Sequence, residues 1–143
     1  MTHQCNKPVV EICIPSELGY EKVAIAVVAT AVQQIGLTED KIEDLKTAVG
    51  EACTNAIEHG NLCNSQAKVR VVLAANKNSI KVNVIDDGYQ PIPDPLPDRN
   101  NRSDFRGMGL YLMRMLMDEV KIESRLGRNE VRMISYRKCL GRT

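Results

Sequence analysis

The chain has 143 residues, of which 43% are hydrophobic and 26% charged, which suits one domain with its own core. Its 19 basic and 18 acidic residues leave a net charge of +1, which argues against a nucleic-acid or membrane-surface role. With no Trp and one Phe, stacking platforms for single strands are not expected, and the core must be aliphatic with Met as filler. Five cysteines (Cys5, Cys13, Cys53, Cys63 and Cys139) form no CxxC pair, so neither a disulfide framework nor a zinc site is signalled. Free thiols suit a reducing, cytoplasmic setting. The N-terminus shows no basic-then-apolar signal, and the longest apolar run, 23–32, is too short to span a bilayer.

Residues 8–14 (PVVEICI) alternate and read as a strand. Ser16 is a plausible N-cap for a helix running to about Ile35, apolar nearly all round and therefore expected to be buried, with Gly36 as its stop. Thr38 caps a second helix, followed by Glu39 and Asp40 in its first turn. Ile42, Leu45, Val49, Ala52, Cys53 and Ala56 form its core face, and Gly60 ends it. Residues 66–75 and 79–86 alternate around the turn Asn76-Lys77-Asn78 and read as a hairpin.

Pro91, Pro93, Pro95 and Pro97 then fall on alternate residues, which no helix tolerates. An irregular loop of about 18 residues in so small a domain reads as a lid, spanning about 87–106. A third helix starts at Gly107-Met-Gly-Leu110 and shows Leu110, Met113, Leu116 and Met117 on one face. Residues 120–124 and 130–136 read as two last strands around Gly127. The expected fold is a two-layer α/β (α+β) sandwich. A mixed, mainly antiparallel sheet is covered on one face by three helices, in one domain over 1–143 with its core at about 8–137.

Three features carry candidate chemistry. The first is the stripe Glu51, Asn55, His59, at i, i+4 and i+8 on the second helix. Glu51 sits roughly 140° from the centre of the core face, so alone it reads as a solvated acid. Asn55 is either a helix-edge amide or an oxygen ligand for Mg2+, which prefers oxygen and keeps several waters. His59 can simply complement the helix dipole. The second is Asp86-Asp87-Gly88 at a strand end, either a turn or an acceptor for an exocyclic amine such as adenine's. The third is Gly107-Met108-Gly109 beside Arg106, either a flexible turn or a phosphate cradle at a helix start.

Together the three stretches resemble the anti-sigma factor serine kinases of bacterial partner-switching systems, within the wider ATPase superfamily of gyrase, Hsp90, histidine kinases and MutL. Glu51-Ala-Cys-Thr-Asn-Ala-Ile-Glu-His-Gly60 is similar to the N-box, Val84-Ile-Asp-Asp-Gly88 to the first glycine box and Gly107-Met-Gly-Leu-Tyr-Leu-Met113 to the second. Leu116-Met-Asp-Glu-Val120 resembles a run of the anti-sigma branch. The likeness covers about residues 8–137. It implies an ATP-binding fold of the Bergerat type with a lid between the glycine boxes. Asn55 would hold Mg2+, Asp86 would bond the adenine amine, and Gly88 would give room below the base. Gly107, Gly109 and Leu110 would cradle phosphates, with Met108 and His59 in the same nucleotide-binding set. Glu51 would be the general base for a serine on a partner protein. The third glycine box departs from the pattern: Arg128-Asn129-Glu130 stands there, with Asn129 replacing a threonine near adenine. Arg102 and Arg106 both qualify as the lid arginine near the γ-phosphate.

The implied activity is that of a cytoplasmic, ATP- and Mg2+-dependent protein serine/threonine kinase. It would sequester a sigma factor and phosphorylate an anti-anti-sigma antagonist, as a homodimer, with no direct nucleic-acid or membrane contact. The alternative is a non-catalytic, nucleotide-gated switch of the same fold. A histidine-kinase fragment would need a phosphoacceptor hairpin, and neither His3 nor His59 sits in one. A gyrase or Hsp90 type would need a transducer domain.

Overall fold

A computed structural model of the chain describes residues 7–89, 92 and 105–137, with the side chains of 105–108 excepted. In chain order the elements are β1 (Lys7–Pro15), α1 (Glu21–Gln34), α2 (Glu39–Asn55), a π-helical turn (Ala56–Gly60), β2 (Lys68–Ala75), β3 (Ser79–Asp86), α3 (Phe105–Leu116), β4 (Glu119–Arg125) and β5 (Arg128–Tyr136). The five strands form one sheet in the order β1-β2-β3-β5-β4. Every neighbouring pair is antiparallel, so the sheet is not mixed in its pairing. The reason is the connectivity. Helix α3 returns the chain to run β4 in the direction of β3, and the hairpin partner β5 then inserts between them.

Alternation puts one face of the sheet against the helices. Val69, Val71 and Leu73 on β2, Ile80, Val82 and Val84 on β3, and Val131 and Met133 on β5 are all buried. They pack in one cluster with Val28 and Val32 of α1, Leu45, Val49, Ala52 and Cys53 of α2, and Leu110 and Met113 of α3. Burial of each large aliphatic side chain contributes about 1.5–3 kcal/mol. By the same alternation the opposite face carries Glu11, Arg70, Lys81, Arg132 and Lys121, and none of the described helices covers it. The sheet ends in β1 on one side and β4 on the other. β1 has Pro8 and Pro15 near its ends and an irregular register between Pro8 and Val10.

The helix signals hold unevenly. Thr38 caps α2, its side chain accepting from the Lys41 N–H at 3.4 Å. Gly36, at φ +85°, closes α1: the N–H groups of Gly36 and Leu37 reach back to the carbonyls of Gln33 and Val32. Ser16 is not a cap. A turn through Gly19 (φ +110°) intervenes, α1 starts at Glu21, and Ser16 is buried elsewhere. Nor is α1 buried all round. Only Ala24, Val28 and Val32 are fully enclosed, because α1 packs mainly against α2 and β1; Val23 stays exposed, as do Leu18 and Tyr20 ahead of the helix. α3 begins at Phe105, two residues before the expected start, so Gly107 and Gly109 lie inside it. Pro91, Pro93, Pro95, Pro97 and Arg102 lie outside the described residues, as do the side chains of Arg106 and Met108. Among the described residues no helix is long and apolar enough to cross a membrane.

Cys53 lies at 0% exposure in the core. Burial, with the Glu21 carboxylate adding to it, pushes its thiol up from 9.0 to about 12. The folded state therefore favours the protonated thiol. That contribution is complete below pH 9 and is lost as pH rises towards 12. In urea unfolding, the stability of the wild type relative to Cys53→Val is expected to fall above pH 9, by at most roughly 1.4 kcal/mol per pH unit. Native alkylation followed by mass spectrometry is expected to label the exposed Cys13 and Cys63 and to spare Cys53.

Candidate active site

The α2 ladder widens where the stripe ends. The Asn61 N–H bonds to the Ala56 carbonyl at 2.8 Å, five residues back, and the Cys63 N–H reaches Ile57 at 2.7 Å. One extra residue is thus accommodated between Asn55 and Gly60, and such turns recur at functional sites. The turn delivers Gly60 onto the end of β3. A Cβ at Gly60 would overlap the Asp86 carboxylate, and one at Gly88 would overlap the Gly60 carbonyl. Absence of a side chain at both positions is what lets the helix layer meet the strand end.

Asp86 is 3% exposed. Its Oδ1 accepts from the Gly88 N–H at 2.8 Å and from Asn129 Nδ2 at 3.2 Å. Asn129, directly opposite Asp86 across β3 and β5, also donates to the Gly88 carbonyl at 3.4 Å. The next residue is held from the other side: Asn61 Oδ1 accepts the Asp87 N–H at 2.9 Å. The Asn61 amide donates to Ser16 Oγ at 2.8 Å and to the Lys68 carbonyl at 3.1 Å, and Ser16 Oγ donates to the Ala67 carbonyl at 2.7 Å. One buried amide therefore ties the ends of β1, β2 and β3 together.

Helix α3 closes the site. A Cβ at Gly109 would lie 2.9 Å from Glu51 Oε2 and 3.0 Å from Asn55 Nδ2, so α3 approaches the stripe closely there. Two spaces meet at Asn55. Inside, Asn55, Asp86 and Leu110 line a cavity of about 10 Å3 with Ala52, Val84 and Ile92. Outside, Glu51, Asn55, His59 and Gly109 line an open cleft of about 490 Å3 with Glu58 and Tyr111.

The fold thus brings together Glu51, Asn55, His59, Asp86, Gly88, Gly109, Leu110 and Asn129. Arg106, Gly107 and Met108 are placed on α3 by backbone alone. Two residues had no sequence signal. Asn61 gains its meaning from partners on β2 and before α1. Glu130, 5% exposed, accepts from Asn83 Nδ2 at 2.6 Å, Arg128 at 3.0 Å and Arg132 at 3.2 Å, and so stiffens β5 beside Asn129.

Among the described residues no group of three or more His, Cys, Asp or Glu side chains comes together to hold a metal. Asn55 Nδ2 is buried without a hydrogen-bond partner among the described residues. Half a turn of that terminal amide presents its oxygen instead. A single amide oxygen fits a hard cation that takes its other ligands from water and phosphate.

The chain belongs to the histidine kinase-like ATPase domain family, which matches residues 14–135. It is similar to the serine-protein kinase RsbW of Bacillus velezensis, 35% identical over 82% of this chain and 79% of that protein. It is also similar to RsbW of Bacillus subtilis (30% identical, 85% and 82%) and to the anti-sigma F factor of Clostridium beijerinckii (33% identical, 85% and 87%). The fold matches the RsbU and RsbW domains of a Mycobacterium tuberculosis protein with a TM-score of 0.70 at 21% identity, over 92% of this chain and 33% of that one. The SiaB–SiaC complex of Pseudomonas aeruginosa gives a TM-score of 0.63 at 13% identity over 89% of each chain.

The seat of Gly60 gives a direct test. Gly60→Ala is expected to destabilise the protein by about 1–3 kcal/mol, read from urea unfolding, because the added methyl must displace the Asp86 carboxylate or the β3 end. Wild-type stability in that variant would show that the close approach is not a constraint.

Proposed function

We propose that the chain is an ATP- and Mg2+-dependent protein serine/threonine kinase of a partner-switching system. It binds a sigma factor and phosphorylates a serine on an anti-anti-sigma antagonist, as a cytoplasmic homodimer. One observation carries the reading: Glu51 and Asn55 meet Gly109, while Asn55 and Leu110 share a cavity with Asp86. The names of the relatives, serine-protein kinase and anti-sigma F factor, support it.

Each residue then has a task. Asp86 accepts the exocyclic amine of the base, and Gly88 leaves space beneath it. Asn55 holds the cation by its amide oxygen, and His59 lines the same cleft. The first turn of α3 has N–H groups without helical partners, and these, with Gly107, Met108 and Gly109, receive phosphate oxygens; Arg106 adds positive charge. Bound ATP with Mg2+ supplies the phosphoryl group and neutralises its charge. Glu51 faces the open cleft, where a serine hydroxyl can reach it. It takes the hydroxyl proton as the serine oxygen bonds to phosphorus, and ADP leaves. The inner cavity of about 10 Å3 is far smaller than a purine, so Ile92 and Leu110 must draw back from the sheet on binding. Ile92 is tethered there by its N–H to Ser124 Oγ at 3.0 Å.

Incubation with ATP and the cognate antagonist is expected to transfer phosphate to a serine. Glu51→Gln is expected to slow transfer by about 10²–10⁴-fold while sparing ATP binding in calorimetry. Efficient transfer by Glu51→Gln would remove Glu51 as the base. The closed base cavity and the altered Arg128-Asn129-Glu130 run favour a second reading, a non-catalytic nucleotide-gated switch. Tight ATP binding without transfer to any partner would select it.

A further inference from the structure

We infer that Ile92 is the inner cavity's own occupant, held in place by Ser124, and that nucleotide binds only in exchange for it. This deepens the nucleotide reading given above and rests on it. Ile92 is 7% exposed and belongs to the buried apolar cluster. It lines the inner cavity with Asn55, Val84, Asp86, Leu110 and Val131. The space left among them is about 10 Å3. Benzene is taken up by a cavity of about 150 Å3, and a purine is larger. One wall must therefore give way.

The walls are held unequally. Val84 and Val131 face each other in paired strands, and Asp86 closes the same ladder. Asn55 is fixed because the turn after it seats Gly60 on the Asp86 carboxylate. Leu110 is 1% exposed and follows Gly109, where α3 meets Glu51 and Asn55. Ile92 belongs to no helix or strand. Its N–H donates to Ser124 Oγ at 3.0 Å. Ser124 stands opposite Asn129 on β5, and Asn129 opposite Asp86 on β3. Two strand spacings put Ser124 roughly 10 Å from Asp86, too far to share a hydrogen bond. Ser124 therefore acts through Ile92, as a positioning residue. A site that is open in only part of the molecules binds with an apparent Kd raised by the inverse of that fraction. Truncating an occupant raises the open fraction and tightens binding. Truncating a wall that packs on the bound base removes contacts and weakens binding. The sign of the change separates the two.

The test measures the Kd of MgATP by calorimetry for the wild type and three variants of the full chain. Ile92→Ala is expected to bind MgATP about fivefold or more tightly than wild type, although its nucleotide-free form melts at a lower temperature. Ser124→Ala, which removes the acceptor of the Ile92 N–H, is expected to tighten binding by about two- to fivefold. Leu126→Ala, at an 84% exposed position on the adjoining turn, is expected to leave the Kd unchanged. Merely structural roles for Ile92 and Ser124 would lower the melting temperature without tightening the Kd. An unchanged or weaker Kd in Ile92→Ala overturns the inference and leaves the site reading standing, with Ile92 as a wall against the base. Tightening in Ile92→Ala without any in Ser124→Ala upholds the occupant and overturns the role of Ser124. Should Ile92→Ala fail to fold, Ser124→Ala decides by the same signs. Absence of MgATP binding in all four proteins overturns the nucleotide reading itself.

Discussion

The tightest constraint among the described residues is steric. Gly60 rests on the Asp86 carboxylate, and Gly88 rests on the Gly60 carbonyl. No residue with a Cβ fits either place without moving a backbone or a buried carboxylate. This contact joins the helix layer to the end of the central strand, and the position of the stripe follows from it. The π turn exists to reach it: an unbroken α-helix would bring a different residue to the strand end. With Gly60 seated, Asn55 overhangs the inner cavity, and Glu51, one turn earlier, faces the outer cleft.

Asn55 is therefore a wall between two unlike spaces. The inner one is apolar apart from Asp86 and Asn55, which suits a base read by a single carboxylate. The outer one is open and lined by Glu51, Glu58, His59 and Tyr111, which suits a polypeptide segment bringing its hydroxyl to a carboxylate. In the proposed reaction the reading of the nucleotide and the removal of the proton take place on opposite sides of one helix. A change on either side can then alter one function and leave the other intact. Gly109 is the point where α3 touches both Glu51 and Asn55, so the spacing of the two spaces depends on that helix as much as on α2.

Local periodicity made much of this legible. Leu45, Val49, Ala52 and Cys53 of α2 and Ala56 of the π turn are buried as their spacing predicts, Thr38 caps as its chemistry predicts, and the β2–β3 hairpin turns where Asn76-Lys77-Asn78 allows. The three short boxes were visible because each keeps small or polar residues where a plain helix or strand would not. What stayed hidden depends on distant partners. Ser16 reads as a cap from its neighbours but answers to Asn61, 45 residues away. Glu130 stands in the sequence only as part of the altered third box, but it meets Asn83, 47 residues earlier. The apolar composition of α1 suggests full burial, yet how many neighbours a helix finds is a property of the assembled layers. The early start of α3 and the π turn were invisible for the same reason: both are set by what the helix must touch.

The borders of the sheet have a bearing on how the protein meets others of its kind. β1 ends in Pro8 and Pro15 with a slipped register at Pro8 to Val10, and β4 carries Glu119, Lys121, Glu123 and Arg125 along its length. Prolines, bulges and charged side chains blunt the backbone ladder on which another chain could extend a sheet. The wide surface opposite the described helices, by contrast, offers one acid, Glu11, and four bases, Arg70, Lys81, Arg132 and Lys121, spread over the five strands. Growth into a continuous sheet, the route to fibres, is disfavoured at both borders. Any contact across the broad surface is governed by side-chain charge and is therefore sensitive to salt.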